Sequence, residues 1–302
     1  MSRTAVLLGV ALGLAVALGI LAFHRGPVPE APAGPLLSEC DGALRRVVIQ
    51  YSDAADDYLI PTYRDFLRQL PAGVDVRVVC PSTAVYESLK QRVGSTACSM
   101  TPVLVDHPIT SWSRDRWLEL GPKQGGPRTL LCSRAEDGAA VWPDRAGDQR
   151  IADDLAAALG PSMRVLHSDY YFDGGDFDAD GETAFARPNI LLRNVQRTVA
   201  TKEDLIKAME TLFQRRVVVL EGAPDHHVGM YLMPVGNRTV LIGDPGLAQK
   251  ELAKSADEAA AVAAFLPGGP DFTAPTSARF EAVAKICEAA GYRVVRIPIV
   301  PG

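Results

Sequence analysis

Short apolar runs alternate with stretches of helical periodicity along most of the chain, and this alternation restricts the fold more than any other feature. Arg46-Val47-Val48-Ile49-Gln50-Tyr51 is an apolar run ending at a turn, which predicts a buried strand. From Asp57 to Leu70 the apolar residues Leu59, Tyr63, Phe66, Leu67 and Leu70 fall at helical spacing, so a helix covering the sheet is expected next. The same logic predicts strands at 74–79, 103–105, 117–120, 129–132, 164–166, 183–186, 216–220 and 293–299, with helices at 82–93, 148–159, 202–213 and 277–289. Gly236-Asn237 between the apolar runs 228–235 and 239–242 is a hairpin turn signal. Strand and helix in alternation predict the α/β class. Units of two or three strands with one helix recur roughly every 55–65 residues, which points to a repeated module.

With 302 residues and 47% hydrophobic content, the chain can bury a large core. A net charge of −5, with no Lys/Arg cluster interleaved with aromatics, argues against a nucleic-acid partner. Thr4 to Phe23 is almost unbroken apolar sequence, preceded by Arg3 and followed by His24-Arg25. About 20 such residues at a rise of ~1.5 Å cross a bilayer core, and a cleavable signal usually has a shorter apolar stretch. Residues 1–25 are therefore expected to be a membrane anchor, retained in preference to cleavage, with basic residues on both flanks leaving its orientation open. Residues 26–43, Pro- and Ala-rich up to Pro35, read as a linker, and residues 44–302 as one globular domain. Cys40, Cys80, Cys98, Cys132 and Cys287 show neither metal-ligand spacing nor a disulfide framework, so no metal site is expected from them.

Three clusters carry candidate chemistry. In Trp112-Ser113-Arg114-Asp115-Arg116-Trp117, Asp115 can hold a cation and Trp112 can stack on one; a surface Arg–Asp pair beside buried indoles explains the same residues. In Asp173-Gly174-Gly175-Asp176, two glycines let the backbone approach a bound group, and a carboxylate there suits a flat cation such as a guanidinium. A tight hairpin with solvated acids is the alternative. Asp176, Asp178, Asp180 and Gly181 match the opening of a calcium loop, but Arg187 stands where its bidentate Glu belongs. The third cluster is Asp225-His226-His227-Val228-Gly229, where a His at the mouth of a strand suits acid/base work near neutral pH. Adjacent His side chains on a strand point to opposite faces, which disfavours a shared metal.

Taken in order, these clusters resemble the agmatine deiminase and peptidyl-arginine deiminase branch of the guanidine-modifying pentein superfamily. The matching residues are Trp112-Ser113-Arg114-Asp115, Asp173-Gly174-Gly175-Asp176 with Asp180-Gly181-Glu182-Thr183, His227-Val228-Gly229, and the segment Leu191-Leu192-Arg193-Asn194. The resemblance spans roughly residues 47–299 and implies an αβ propeller of five strand-helix units with the site at its centre. It implies a hydrolase of guanidinium or amidine compounds, free like agmatine or as arginine side chains of a protein, working without a cofactor. Asp115 and Asp173 would hold the cation and His227 would serve as acid and base, with Trp112, Arg114, Gly174, Gly175 and Asp176 lining the substrate.

Two departures stand out. The family places an acid two residues after the His, and here that residue is Gly229. Its nucleophilic cysteine comes after a strand like 294–299, whereas the sequence in hand stops at Gly302, so the fifth unit is expected to be incomplete. Cys287 forms a helical stripe with Phe280, Val283 and Ala284, which predicts burial in the core and no part in chemistry. Both departures leave two expectations: a deiminase-like enzyme, or a non-catalytic module that binds guanidinium compounds. A metal-dependent hydrolase built on Asp173, Asp176 and His227 finds no support in ligand spacing.

Overall fold

The computed structural model describes residues 34–122, 125–136, 143–266 and 268–302. The segment expected to anchor the chain in a membrane lies outside them, and among the described residues no helix is long and apolar enough to cross a bilayer.

The described residues hold four three-stranded sheets. In the first, β1 (Arg46–Gln50), β2 (Asp75–Cys80) and β3 (Ser99–Leu104) run parallel. The other three share one plan, in which a short antiparallel pair is followed by a crossover to a parallel third strand. They are β4 (Trp117–Leu120), β5 (Arg128–Cys132) and β6 (Met163–His167); β7 (Phe177–Ala179), β8 (Thr183–Ala186) and β9 (Arg216–Val219); and β10 (Leu232–Pro234), β11 (Thr239–Asp244) and β12 (Arg293–Pro298). Antiparallel neighbours need only a tight connection, whereas a parallel pair needs a long one, and here each crossover carries a helix. The helices Ile151–Leu159, Lys202–Phe213 and Ala274–Ala289 fill that place in turn. The module expected from the sequence is therefore present, repeated.

The helix Lys202–Phe213 shows why the pattern was legible. Thr201 and Asp204 form a reciprocal capping box at its start, and Leu205, Met209 and Phe213 make one buried stripe. Phe213 meets the ring of Phe177 edge-on at 4.9 Å. Phe177 thus points into the core, and strand alternation turns its strand neighbour Asp178 to the other face.

The structure departs from the sequence reading in several places. His226 and His227 do not lie on a strand: His227 precedes a single 3-10 turn, Val228–Met230, and the strand starts only at Leu232. His226 takes a left-handed φ of 95°, which breaks the extended run. Residues 103–105 were expected as a strand, which instead begins at Ser99 and takes in Pro102. Asp148 sits in a 3-10 stretch, Pro143–Arg150, ahead of its helix. The helices Pro245–Leu252 and Ala256–Phe265 were not foreseen, and the second buries no residue, so it has no apolar stripe to read. The stretch expected as linker is packed from Gly34 on: Leu36 is buried and bridges Leu120, and its N–H donates to the carbonyl of Phe213 at 2.9 Å.

Candidate functional site

Asp115 ends the loop before β4, and Asp173 ends the segment before β7. The Gly174 N–H donates to the Asp115 carbonyl at 2.8 Å, tying the two loops together. Both glycines of the pair are there for contact. A Cβ at Gly174 would run into the carbonyls of Arg114 and Trp117, and one at Gly175 would overlap the imidazole of His227. Gly174–Asp176 is a 3-10 turn in which the Asp173 N–H donates to Asp176 Oδ2 at 2.9 Å.

This packing brings Asp115, Asp173 and His227 into one cluster. His227 lies over the glycine floor with Nε2 at 3.6 Å from Asp115 Oδ1. Asp115 is only 5% exposed. Burial pushes its carboxyl above the ordinary range; Arg145 opposes the rise, the negative charge of Asp173 adds to it, and His227 opposes it. The other oxygen of Asp115 accepts a hydrogen bond from Arg145.

Asp173 is held by two further arginines. Arg116 reaches Oδ1 at 3.2 Å, and Arg193 reaches Oδ2 at 3.0 Å. Arg193 also contacts Asp176 at 3.4 Å and pairs with Glu136, while Arg187 stands 3.5 Å from the other oxygen of Asp176. Asp176 is fully buried, and burial carries its carboxyl up to about 6 against the pull of its arginines. Its Oδ2 holds the turn and Arg193, while its Oδ1 has no hydrogen-bond partner among the described residues.

Of two more expected site residues, Arg114 is engaged elsewhere. Arg114 turns away to donate to Glu39 at 2.8 Å, to the Phe177 carbonyl at 2.8 Å and to Asp178 at 2.7 Å, fastening the N-terminal segment to the sheet. Trp112 is 50% exposed on the same loop as Asp115. Gly229, where an acid was expected, lies against the carboxylate of Asp178, and a Cβ there would stand 3.1 Å from its Oδ2. An aspartate at 229 would set two carboxylates side by side, so the glycine and Asp178 fit each other.

No protein-family model matches the sequence, and no curated protein sequence does. Solved structures do match in shape. A substrate-bound agmatine deiminase variant from C. jejuni superposes with a TM-score of 0.62 at 14% identity, covering 88% of this chain and 74% of the other. The fold is that of the agmatine deiminases. The Enterococcus faecalis agmatine deiminase gives a TM-score of 0.59 at 12% identity, over 89% of this chain and 70% of that one. A structure assigned to a peptidyl-arginine deiminase gives 0.61 at 11%, over 88% and 76%.

Within this deiminase fold, the residues that sequence reasoning missed are basic. Arg116, Arg145 and Arg193 form the positive half of the cluster, and only Arg116 and Arg193 lay inside segments already singled out. Among the described residues no three His, Cys, Asp or Glu side chains gather to hold a metal ion. All five cysteines are free, and burial pushes the thiols of Cys80, Cys132 and Cys287 up to about 11, 12 and 12. Cys287 is buried in the helix stripe where it was expected.

Proposed function

We propose that this chain recognises a planar guanidinium or amidine cation at the Asp115–His227 corner and acts with the hydrolases of such compounds. The observation that carries this reading is a buried carboxylate and an imidazole meeting over a glycine floor in a deiminase fold. Asp115 holds the cation through charged hydrogen bonds. His227 stands within reach of the same carboxylate, where it can protonate a departing amine and then take a proton from water. Asp173 contributes through its charge: both its oxygens are held by arginines, and it keeps the corner negative beside them. The arrangement of the four sheets as blades of an αβ propeller belongs to the same reading.

Deimination also needs a nucleophile. Burial makes the thiols of Cys80, Cys132 and Cys287 poor thiolates at neutral pH, and the second reading is that Asp115 and His227 bind the cation without turnover.

Calorimetry with agmatine on the full chain, together with ammonia release from agmatine and from a peptidyl-arginine, tests both. Asp115→Asn removes one charged hydrogen bond worth about 1.5–3 kcal/mol, so agmatine affinity is expected to fall roughly 10- to 150-fold. Equal affinity in the parent, Asp115→Asn and His227→Asn would overturn the assignment of the site. Ammonia release that His227→Asn abolishes selects the hydrolase, and binding without ammonia selects the module.

A further inference from the structure

Arg145 places a guanidinium on the very carboxylate that the proposed function assigns to a ligand guanidinium. Its terminal nitrogen donates to Asp115 Oδ2, while His227 faces the other oxygen at 3.6 Å. We infer that Arg145 is an internal ligand of the cation corner: its side chain holds the place that an incoming guanidinium takes, and ligand affinity is set by the exchange of one for the other. The inference rests on the reading given under Proposed function.

Three observations carry it. First, the turn that bears Arg145 is anchored without it. Asp148 accepts from the Thr110 N–H at 2.8 Å, from its hydroxyl at 2.6 Å and from Gln50 at 3.3 Å. Gln149 accepts from Arg116 at 2.9 Å and from the Glu136 N–H at 2.7 Å. The Arg145 side chain can therefore swing away while its backbone stays. Second, Arg145 is the more open member of its pair, with 23% of its side chain accessible against 7% for Asp115, so it leaves toward solvent. Third, its grip is incomplete. Among the described residues its buried Nε has no hydrogen-bond acceptor, and the nearer oxygen of Asp148 stands 3.7 Å away. Arg116 also leaves its Nε unmatched, but both its terminal nitrogens are engaged, on Asp173 and Gln149. Arg193 links Asp173, Asp176 and Glu136. Those two are built in, and Arg145 is the one a ligand can replace.

The test compares the parent with Arg145→Gln and Arg145→Lys. The probes are agmatine, methylguanidinium and, as a cation of another shape, methylammonium. Emptying the corner is expected to tighten agmatine binding at least about tenfold in Arg145→Gln, because the ligand no longer competes with a tethered guanidinium. Arg145→Lys keeps the charge but loses the planar fork, so its affinity is expected between the two. Millimolar methylguanidinium is expected to raise the Tm of Arg145→Gln by several degrees and that of the parent by less, with methylammonium doing little. Should Arg145→Gln be too unstable to measure, Arg145→Lys decides alone. Affinity unchanged or weaker in these variants, while Asp115→Asn still loses binding, would overturn the internal ligand and leave the site standing. No binding in any of them would overturn both.

Discussion

Two acidic regions of this molecule border the same glycine pair in space and are put to different use. In the stretch from Asp176 to Asp180 every carboxylate serves the fold. Asp176 caps the Asp173 N–H, Asp178 fastens Arg114, and Asp180 accepts from the Glu182 and Thr183 N–H groups, both at 2.8 Å, and from the Tyr292 hydroxyl at 2.7 Å. At the Asp115 corner one oxygen has a single arginine, and the other faces an imidazole beyond hydrogen-bond length. The contrast separates structural acids from candidate functional ones by what their oxygens meet, backbone N–H groups and chain-fastening side chains in one region, a lone arginine and an imidazole in the other, which their spacing does not carry. Asp176, Asp178 and Asp180 have the look of a metal loop in sequence, yet in the fold they diverge to different partners.

The sharpest test of this contrast is to remove a structural acid. Asp176→Ala would leave Arg187 and Arg193 facing a buried gap, and breaking a buried ion pair in that way costs about 3–5 kcal/mol. Urea denaturation should show a loss of that size. A loss under about 1 kcal/mol would mean that Asp176 is no more structural than a surface acid. Gly175→Ala comes next in size. The added methyl must displace the His227 ring, at about 1–3 kcal/mol for overpacking, and should shift the His227 ring resonances in an NMR spectrum. Gly268→Ala meets nothing nearby and should stay within about 0.5 kcal/mol of the parent. If both glycine variants behave alike, the glycine floor under His227 is not real.

What the sequence disclosed follows the same division. The helix Lys202–Phe213 was legible to the residue because cap, charge and apolar stripe are all local. The Gly174-Gly175 pair was legible as a place of close approach, though not what approaches: the partners are the carbonyls at 114 and 117 and a ring at 227. Arg145, Arg116 and Arg193 reach their acids across 30, 57 and 20 residues, and no short pattern marks such pairs. The left-handed backbone at His226 was equally hidden, because histidine takes a positive φ more often than most residues but still only rarely. Its effect was large: a site expected on a strand face is on a turn, so the argument that His226 and His227 point to opposite faces does not apply, and their rings lie 5.1 Å apart. The role of Gly229 emerged only with Asp178 beside it.

The last test concerns the pH dependence contributed by Asp178, and its sign decides which force governs the structural stretch. Burial pushes the Asp178 carboxyl up to about 7, and Arg114 does not pull it back to the ordinary range. A raised folded pKa means that between about pH 4 and 7 the folded chain keeps a proton that the unfolded chain has released, so this group makes stability fall as pH rises through that window. Asp178→Asn removes the titration. The variant should therefore gain on the parent by up to about 1.4 kcal/mol per pH unit from pH 4 to 7, with the difference levelling off above the folded pKa. Asp176, raised to about 6, contributes the same sign in parent and variant and drops out of the comparison. Paired urea titrations at pH 5, 6, 7 and 8 measure that difference. A parent that instead gains on Asp178→Asn with rising pH would show the attraction of Arg114 outweighing burial. Asp178 would then be an ordinary ion pair fastening the N-terminal segment, held by charge at neutral pH and released by acid.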